Sequence, residues 1–130
     1  MYKQLLILDS SKANIVNNKY EFNLSGQMFR VKKYRIKKYI CNGINNMSTN
    51  ITYLCCPELA EMTINRNSDN GLPTDIVAVI TNDNEIDPNH HEMFTNRERW
   101  FKKLTIYFKQ NNQIIQPSNF VVVLDIEKET

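Results

Sequence analysis

Along most of the chain, apolar side chains recur at every second position, the spacing that turns one face of a β-strand toward a core. Residues 19–26, KYEFNLSG, alternate cleanly, with Tyr20, Phe22 and Leu24 on one face and Lys19, Glu21 and Asn23 on the other. Residues 5–10, LLILDS, put Leu6 and Leu8 together, and 50–57, NITYLCCP, do the same with Ile51, Tyr53 and Cys55. Residues 28–40, MFRVKKYRIKKYI, carry β-branched and aromatic residues at their apolar sites, but the phase slips between Val31 and Tyr34, as a β-bulge would make it. Residues 74–81, TDIVAVIT, form a continuous apolar run suited to a buried strand.

Residues 100–109 and 119–127 complete seven strands and read as a closing hairpin. Leu104, Ile106 and Phe108 share one face, as do Phe120, Val122, Leu124 and Ile126. Val121 and Val123 make the last strand apolar on its other side too, which calls for a cover there, a loop or a neighbouring subunit. The expected core is Phe22, Leu24, Ile51, Val77, Val79, Leu104, Ile106, Val122 and Leu124.

Polar clusters rich in Asn, Ser, Asp, Gly or Pro separate these runs: SSKANIVNN, CNGINNMSTN, NRNSDNGLP, NDNEIDPNHHE and QNNQIIQPSN. Eighteen Asn stand beside only three Gly and four Pro, so Asn takes on the positive-φ turn positions that Gly usually fills. PELAEMTI, residues 57–64, is the one place for a helical turn, with Pro57 at its first position, or for an eighth strand. No repeat or linker divides the chain. The expected fold is a single all-β domain over 1–130, a sandwich or barrel of about eight antiparallel strands.

Composition adds bounds. One hundred and thirty residues suffice for one core without staples, and 42% hydrophobic with 23% charged residues fit a soluble chain. The longest apolar runs, 5–8 and 120–124, fall far short of the ~18 residues needed to cross a bilayer, so no membrane span is expected. Lys3 precedes only four apolar residues, too few for a secretory signal. Cys41, Cys55 and Cys56 are odd in number and have no CxxC spacing, which points to reduced structural thiols in an intracellular protein.

Catalytic signatures are sparse. Adjacent His90 and His91, with Asp87 and Glu92, lack a third spaced His or Cys and read as loop residues without a metal. There is no G-x-S-x-G elbow and no glycine-rich phosphate loop. Asp125, Glu127 and Glu129 read as a solvated strand edge, not an acid–base pair. No enzymatic activity and no cofactor are expected.

The strongest local feature is basic. Arg30, Lys32, Lys33, Arg35, Lys37 and Lys38 fall within eleven residues that contain no acid, next to Tyr34 and Tyr39. The other ten basic residues face fourteen acidic ones, so positive charge is concentrated here. Such a strip, the candidate interface, could track a nucleic-acid backbone, meet an acidic surface on a protein neighbour, or protect a sheet edge from aggregation.

The order of motifs carries a resemblance. LLILDSS opens the chain, YEFNLSG and FRVKKYRIKKYI follow, an Asn-rich turn leads into ITYLCCPELAE, and TDIVAVIT precedes the closing NRERWFKKLTIYFKQNNQIIQPSNFVVVLDIE. This pattern resembles the minor capsid or penton-type single jelly-roll proteins of eukaryotic double-stranded DNA viruses: virophages, polinton-like viruses and nucleocytoplasmic large DNA viruses. Many vertex proteins of this kind carry an extra insertion domain, for which this sequence has no counterpart, and the family's Pro-rich turn after the basic strand is here CNGINNMSTN, without proline. The resemblance implies a jelly-roll subunit of an icosahedral shell, made in the host cytoplasm and carried in the virion. Its partners would be itself, as a homopentamer, and the major capsid protein. The alternative is a cellular all-β module that binds nucleic acid or carbohydrate through residues 30–40.

Overall fold

A computed structural model describes residues 2–24, 29–47, 49–60, 75–80 and 92–128, and the side chains of all of these except 2–3, 29–33, 92–101 and 128. In chain order the strands are β1 (Tyr2–Asp9), β2 (Asn14–Val16), β3 (Lys19–Asn23), β4 (Phe29–Asn42), β5 (Thr52–Cys55), β6 (Ile76–Ile80), β7 (Glu92–Phe101), β8 (Lys103–Gln110), β9 (Gln113–Ile115) and β10 (Asn119–Lys128). A 3-10 turn, Ser10–Lys12, follows β1, and α1 (Pro57–Ala60) follows β5 with proline at its first position, the helical turn rather than the strand of the two alternatives there. The described part of the chain is all-β.

The strands form two antiparallel sheets. One has the order β1-β10-β4-β7; the other runs β2-β3-β8-β5-β6, with β9 paired to β8. Their inner faces meet in one core. Leu8, Tyr34, Ile36, Tyr39, Cys41, Phe120, Val122, Leu124 and Ile126 come from the first sheet, and Tyr20, Phe22, Leu54, Ile80, Leu104, Ile106 and Phe108 from the second. Phe120 joins the layers: its ring meets those of Tyr20, Phe108 and Phe22 edge-on, with centroids 4.8, 5.1 and 6.1 Å apart. Each large apolar side chain so buried contributes about 1.5–3 kcal/mol.

Asparagine makes the tight turns. Asn17 and Asn18 (φ 53° and 66°) link β2 to β3, and Asn111 and Asn112 (φ 51° and 63°) link β8 to β9. Two successive positive-φ residues define the type I′ turn whose twist suits a two-residue hairpin. The ladders agree, since Val16 pairs with Lys19 and Gln110 with Gln113.

Strand β4 carries the bulge expected between Val31 and Tyr34: its register shifts there against both β10 and β7. A second shift falls between the partners of Val123 and Leu124, Lys38 and Ile36, leaving Lys37 as the extra residue. This bulge resets the phase, so Tyr34, Ile36, Tyr39 and Cys41 all point inward.

Four expectations are corrected. Strands β8 and β10 are not a hairpin; β8 turns back onto β9, and the chain then crosses to the other sheet to form β10. Residues 100–109 are not one strand, because the chain changes sheets at Lys102 between β7 and β8. Ile51 is 59% exposed, because Thr52 and Leu54 take the inward positions of β5. Thr52 can do so because Gln110 Nε2 reaches its hydroxyl at 2.7 Å, satisfying the polar group inside. Val79 is 45% exposed because Val77 is an extra residue opposite Leu54 and Cys55, so Val77, Ala78 and Ile80 are buried and Val79 turns out.

Candidate interaction surfaces

The basic strip lies on β4, and the structure divides it. Arg35, Lys37 and Lys38 point away from the core, with Lys37 and Lys38 exposed at the second bulge. Tyr34 and Tyr39, grouped with them by sequence, are wholly buried between the sheets and offer no surface for stacking or docking. The side chains of Arg30, Lys32 and Lys33 lie outside the described residues. β4 pairs with β10 on one side and, over Phe29–Arg35, with β7 on the other, so along that stretch its charges guard no free edge, whereas Lys37 and Lys38 lie beyond the β7 ladder.

Part of the strip is answered by acid within its own sheet. Arg35 Nη2 donates to Asp125 Oδ2 at 2.9 Å, and Lys33 stands opposite Glu127 in the ladder. The acids on β10 that read as a solvated edge therefore face the basic strand.

Beside these pairs the outer face of the same sheet is apolar. Ile7 pairs with Val123, which pairs with Lys38, and in the next row Val121 pairs with Ile40. Leu5, Ile7 and Ile40 are 51, 62 and 40% exposed, while Val121 and Val123 are half-buried. The expected cover over Val121 and Val123 does not come from any described residue. Sequence reasoning saw the outward valines of β10 but not Leu5, Ile7 and Ile40, although LLIL is apolar on both faces.

The outer face of the larger sheet is partly covered by its own side chains. Glu58, at the start of α1, accepts from Thr105 N and Thr105 Oγ1, both at 2.8 Å, and from Cys56 Sγ at 3.6 Å. The Tyr107 hydroxyl donates to Asp75, while Lys19 Nζ sits 4.6 Å from the centre of its ring. Burial, and then the bond to Asp75, drive the Tyr107 pKa well up. Cys55 is fully buried, and burial pushes its thiol up to about 12, as it does for Cys41. Burial and the Glu58 carboxylate also hold the Cys56 thiol protonated. Neutral, enclosed thiols of this kind are poor nucleophiles.

At one end of the sandwich the β4–β5 loop and the β8–β9 hairpin enclose two adjoining clefts of about 330 and 350 Å³. Asparagine and glutamine side chains dominate the first; the second adds Ile51 and Tyr53, and Asn50 and Asn111 belong to both. The sequence marked these segments as turns, but nothing local in it shows that two loops sixty residues apart meet.

His90 and His91 lie outside the described residues. Among the described residues, no three His, Cys, Asp or Glu side chains cluster to hold a metal ion, and no helix is long and apolar enough to cross a membrane. No family model, curated protein or solved structure matches this chain.

Proposed function

We propose that the chain is a structural virion protein, a jelly-roll minor capsid or penton subunit that docks against neighbouring subunits of an icosahedral shell. The strand order carries this reading. Setting aside the short β2 and β9, the two sheets run β1-β10-β4-β7 and β3-β8-β5-β6, and the chain changes sheet at every step except β5 to β6. This order supports the reading as a jelly roll, a double-sheet fold used by viral capsid domains. The outer face of the first sheet supports the same reading. Its exposed Leu5, Ile7 and Ile40 make an apolar patch bordered by Lys37, Lys38, Asp9 and Asp125, the composition of an interface centre with a charged rim.

The burial of Tyr34 and Tyr39 counts against a nucleic-acid module, which stacks bases on aromatic side chains beside a basic groove. The test is sedimentation of the purified chain together with mass spectrometry of purified particles. An oligomer, or a fixed copy number in icosahedral particles, is expected. A chain that stays monomeric and is absent from particles overturns the proposal.

A further inference from the structure

We propose that the paired clefts between the β4–β5 loop and the β8–β9 hairpin bind an uncharged saccharide of two or more sugar units. The inference is independent of the shell reading, because it rests only on the chemistry of the cleft walls.

Among the described residues, no charged side chain lines either cleft. A phosphate, sulfate or carboxylate ligand would enter without an Arg or Lys to receive it. A purely apolar ligand would strand the amides of Asn50, Asn111, Gln113 and Gln116 out of water. A primary amide presents two donors and one acceptor, and a sugar hydroxyl both donates and accepts, so neighbouring amides match neighbouring hydroxyls. Ile51 and Tyr53 in the second cleft add apolar surface of the kind that takes the C–H face of a pyranose ring. Each volume falls within the range of small-molecule sites, and the shared Asn50 and Asn111 make the two clefts contiguous subsites.

The walls are held in place before any ligand arrives. Asn46, at φ 63°, accepts on its carbonyl from Asn50 N at 2.9 Å and Thr49 N at 3.2 Å, which fixes the β4–β5 loop. Gln110 ties that loop to the sheet, its Nε2 donating to the Asn45 carbonyl at 3.0 Å and to Thr52 Oγ1 at 2.7 Å. Gln110 is only 8% exposed and lines the cleft, yet its Oε1 receives no hydrogen bond from a described residue. A buried amide oxygen in that position is an acceptor for a ligand hydroxyl.

The test titrates ¹⁵N-labelled full chain with maltose, lactose, cellobiose and N,N′-diacetylchitobiose, and with a sulfated lactose as the charged counterpart. At least one neutral disaccharide should shift the side-chain amide signals of Asn50, Asn111 and Gln113 and saturate in the millimolar range. Replacing the exposed Gln113 and Gln116 together (Gln113→Ala, Gln116→Ala) should weaken that binding about tenfold while the thermal melt stays unchanged. The proposal falls if none of the four sugars moves these signals, if the sulfated sugar binds more tightly than its neutral parent, or if the double variant retains full affinity.

Discussion

Glu58 holds Thr105 by both of its donors: the carboxylate takes the backbone N–H on one oxygen and the hydroxyl on the other, each at 2.8 Å. The pair pins α1 near the start of β8 across 47 residues of chain. Glu58→Ala would leave a nearly buried N–H and hydroxyl without their acceptor, at a cost of about 1–3 kcal/mol. Glu58→Gln, which keeps one accepting oxygen, should lose less. Urea unfolding of the three proteins checks the ranking, and equal stability of all three would show that water replaces the carboxylate.

Gly43 follows β4 at φ +80°, and a Cβ built on it would lie 2.0 Å from Ser118 Oγ and 2.9 Å from Ser118 N. Ser118 cannot withdraw easily, since its N–H donates to the Asn42 carbonyl at 2.7 Å. Gly43→Ala should therefore destabilise the fold by about 1–3 kcal/mol. Adding Ser118→Gly should restore only part of this, because the backbone contact and the unfavourable φ remain. Thermal melts of the single and double variants measure both.

The thiols set an alkaline limit. Cys41 and Cys55 rise on folding from an ordinary 9.0 to about 12. A thiol with a raised native pKa holds its proton more tightly when folded, so its stabilising contribution is intact below pH 9 and is lost as pH climbs toward 12. Stability should fall above pH 9 by up to about 1.4 kcal/mol per pH unit for each such thiol. In native buffer at pH 8 a thiol reagent should leave all three cysteines unmodified, and should modify all three in denaturant. Rapid native labelling would contradict their burial.

The core makes a paired prediction. Leu104 and Val122 are each 1% exposed, and truncating either to Ala should cost about 2–4 kcal/mol through lost transfer energy and a residual cavity. Ile51→Thr and Val79→Thr, at exposed sites, should change stability by no more than about 0.5 kcal/mol. Denaturant midpoints of the four variants should fall into two groups.

For the basic bulge, reversing Lys37 and Lys38 to Glu should leave the melting temperature within a degree or two, since both are exposed. The same reversal should block docking to neighbouring subunits if these lysines meet acid across an interface. An affinity for oligonucleotide that falls log-linearly and steeply with salt, and that vanishes in this variant, would instead favour contact with a phosphate backbone.

Fold class was legible because alternation survives wherever a strand has one wet face: Tyr20, Phe22 and Leu24, or Phe120 through Ile126, needed no tertiary knowledge. What failed traces to particular residues. Thr52 is a polar residue at an inward position, tolerated only because Gln110, 58 residues away, bonds it. Val77 is an extra residue that reverses the phase of Val79. Strands β2 and β9 have three residues each, too short for periodicity to show. The basic strip was visible as charge, but Lys37 had to be recognised as a bulge before Tyr39 could be placed inside. The amide clefts were hidden, because only the folded sheets bring residues near 45 and 113 together.

Strand β10 occupies the middle of its sheet, pairing with β1 along one side and β4 along the other. Until residues 119–128 have been synthesised, β1 and β4 have no partner between them, and their inward apolar residues must wait. The first sheet therefore closes only after β10 is available, and pairing between strands so distant in sequence is slow as a rule. Over that interval Leu6, Leu8, Ile36 and Tyr39 are presented to other nascent chains, so yield during expression should respond to chaperone supply and to growth temperature more strongly than the stability of the finished fold would suggest.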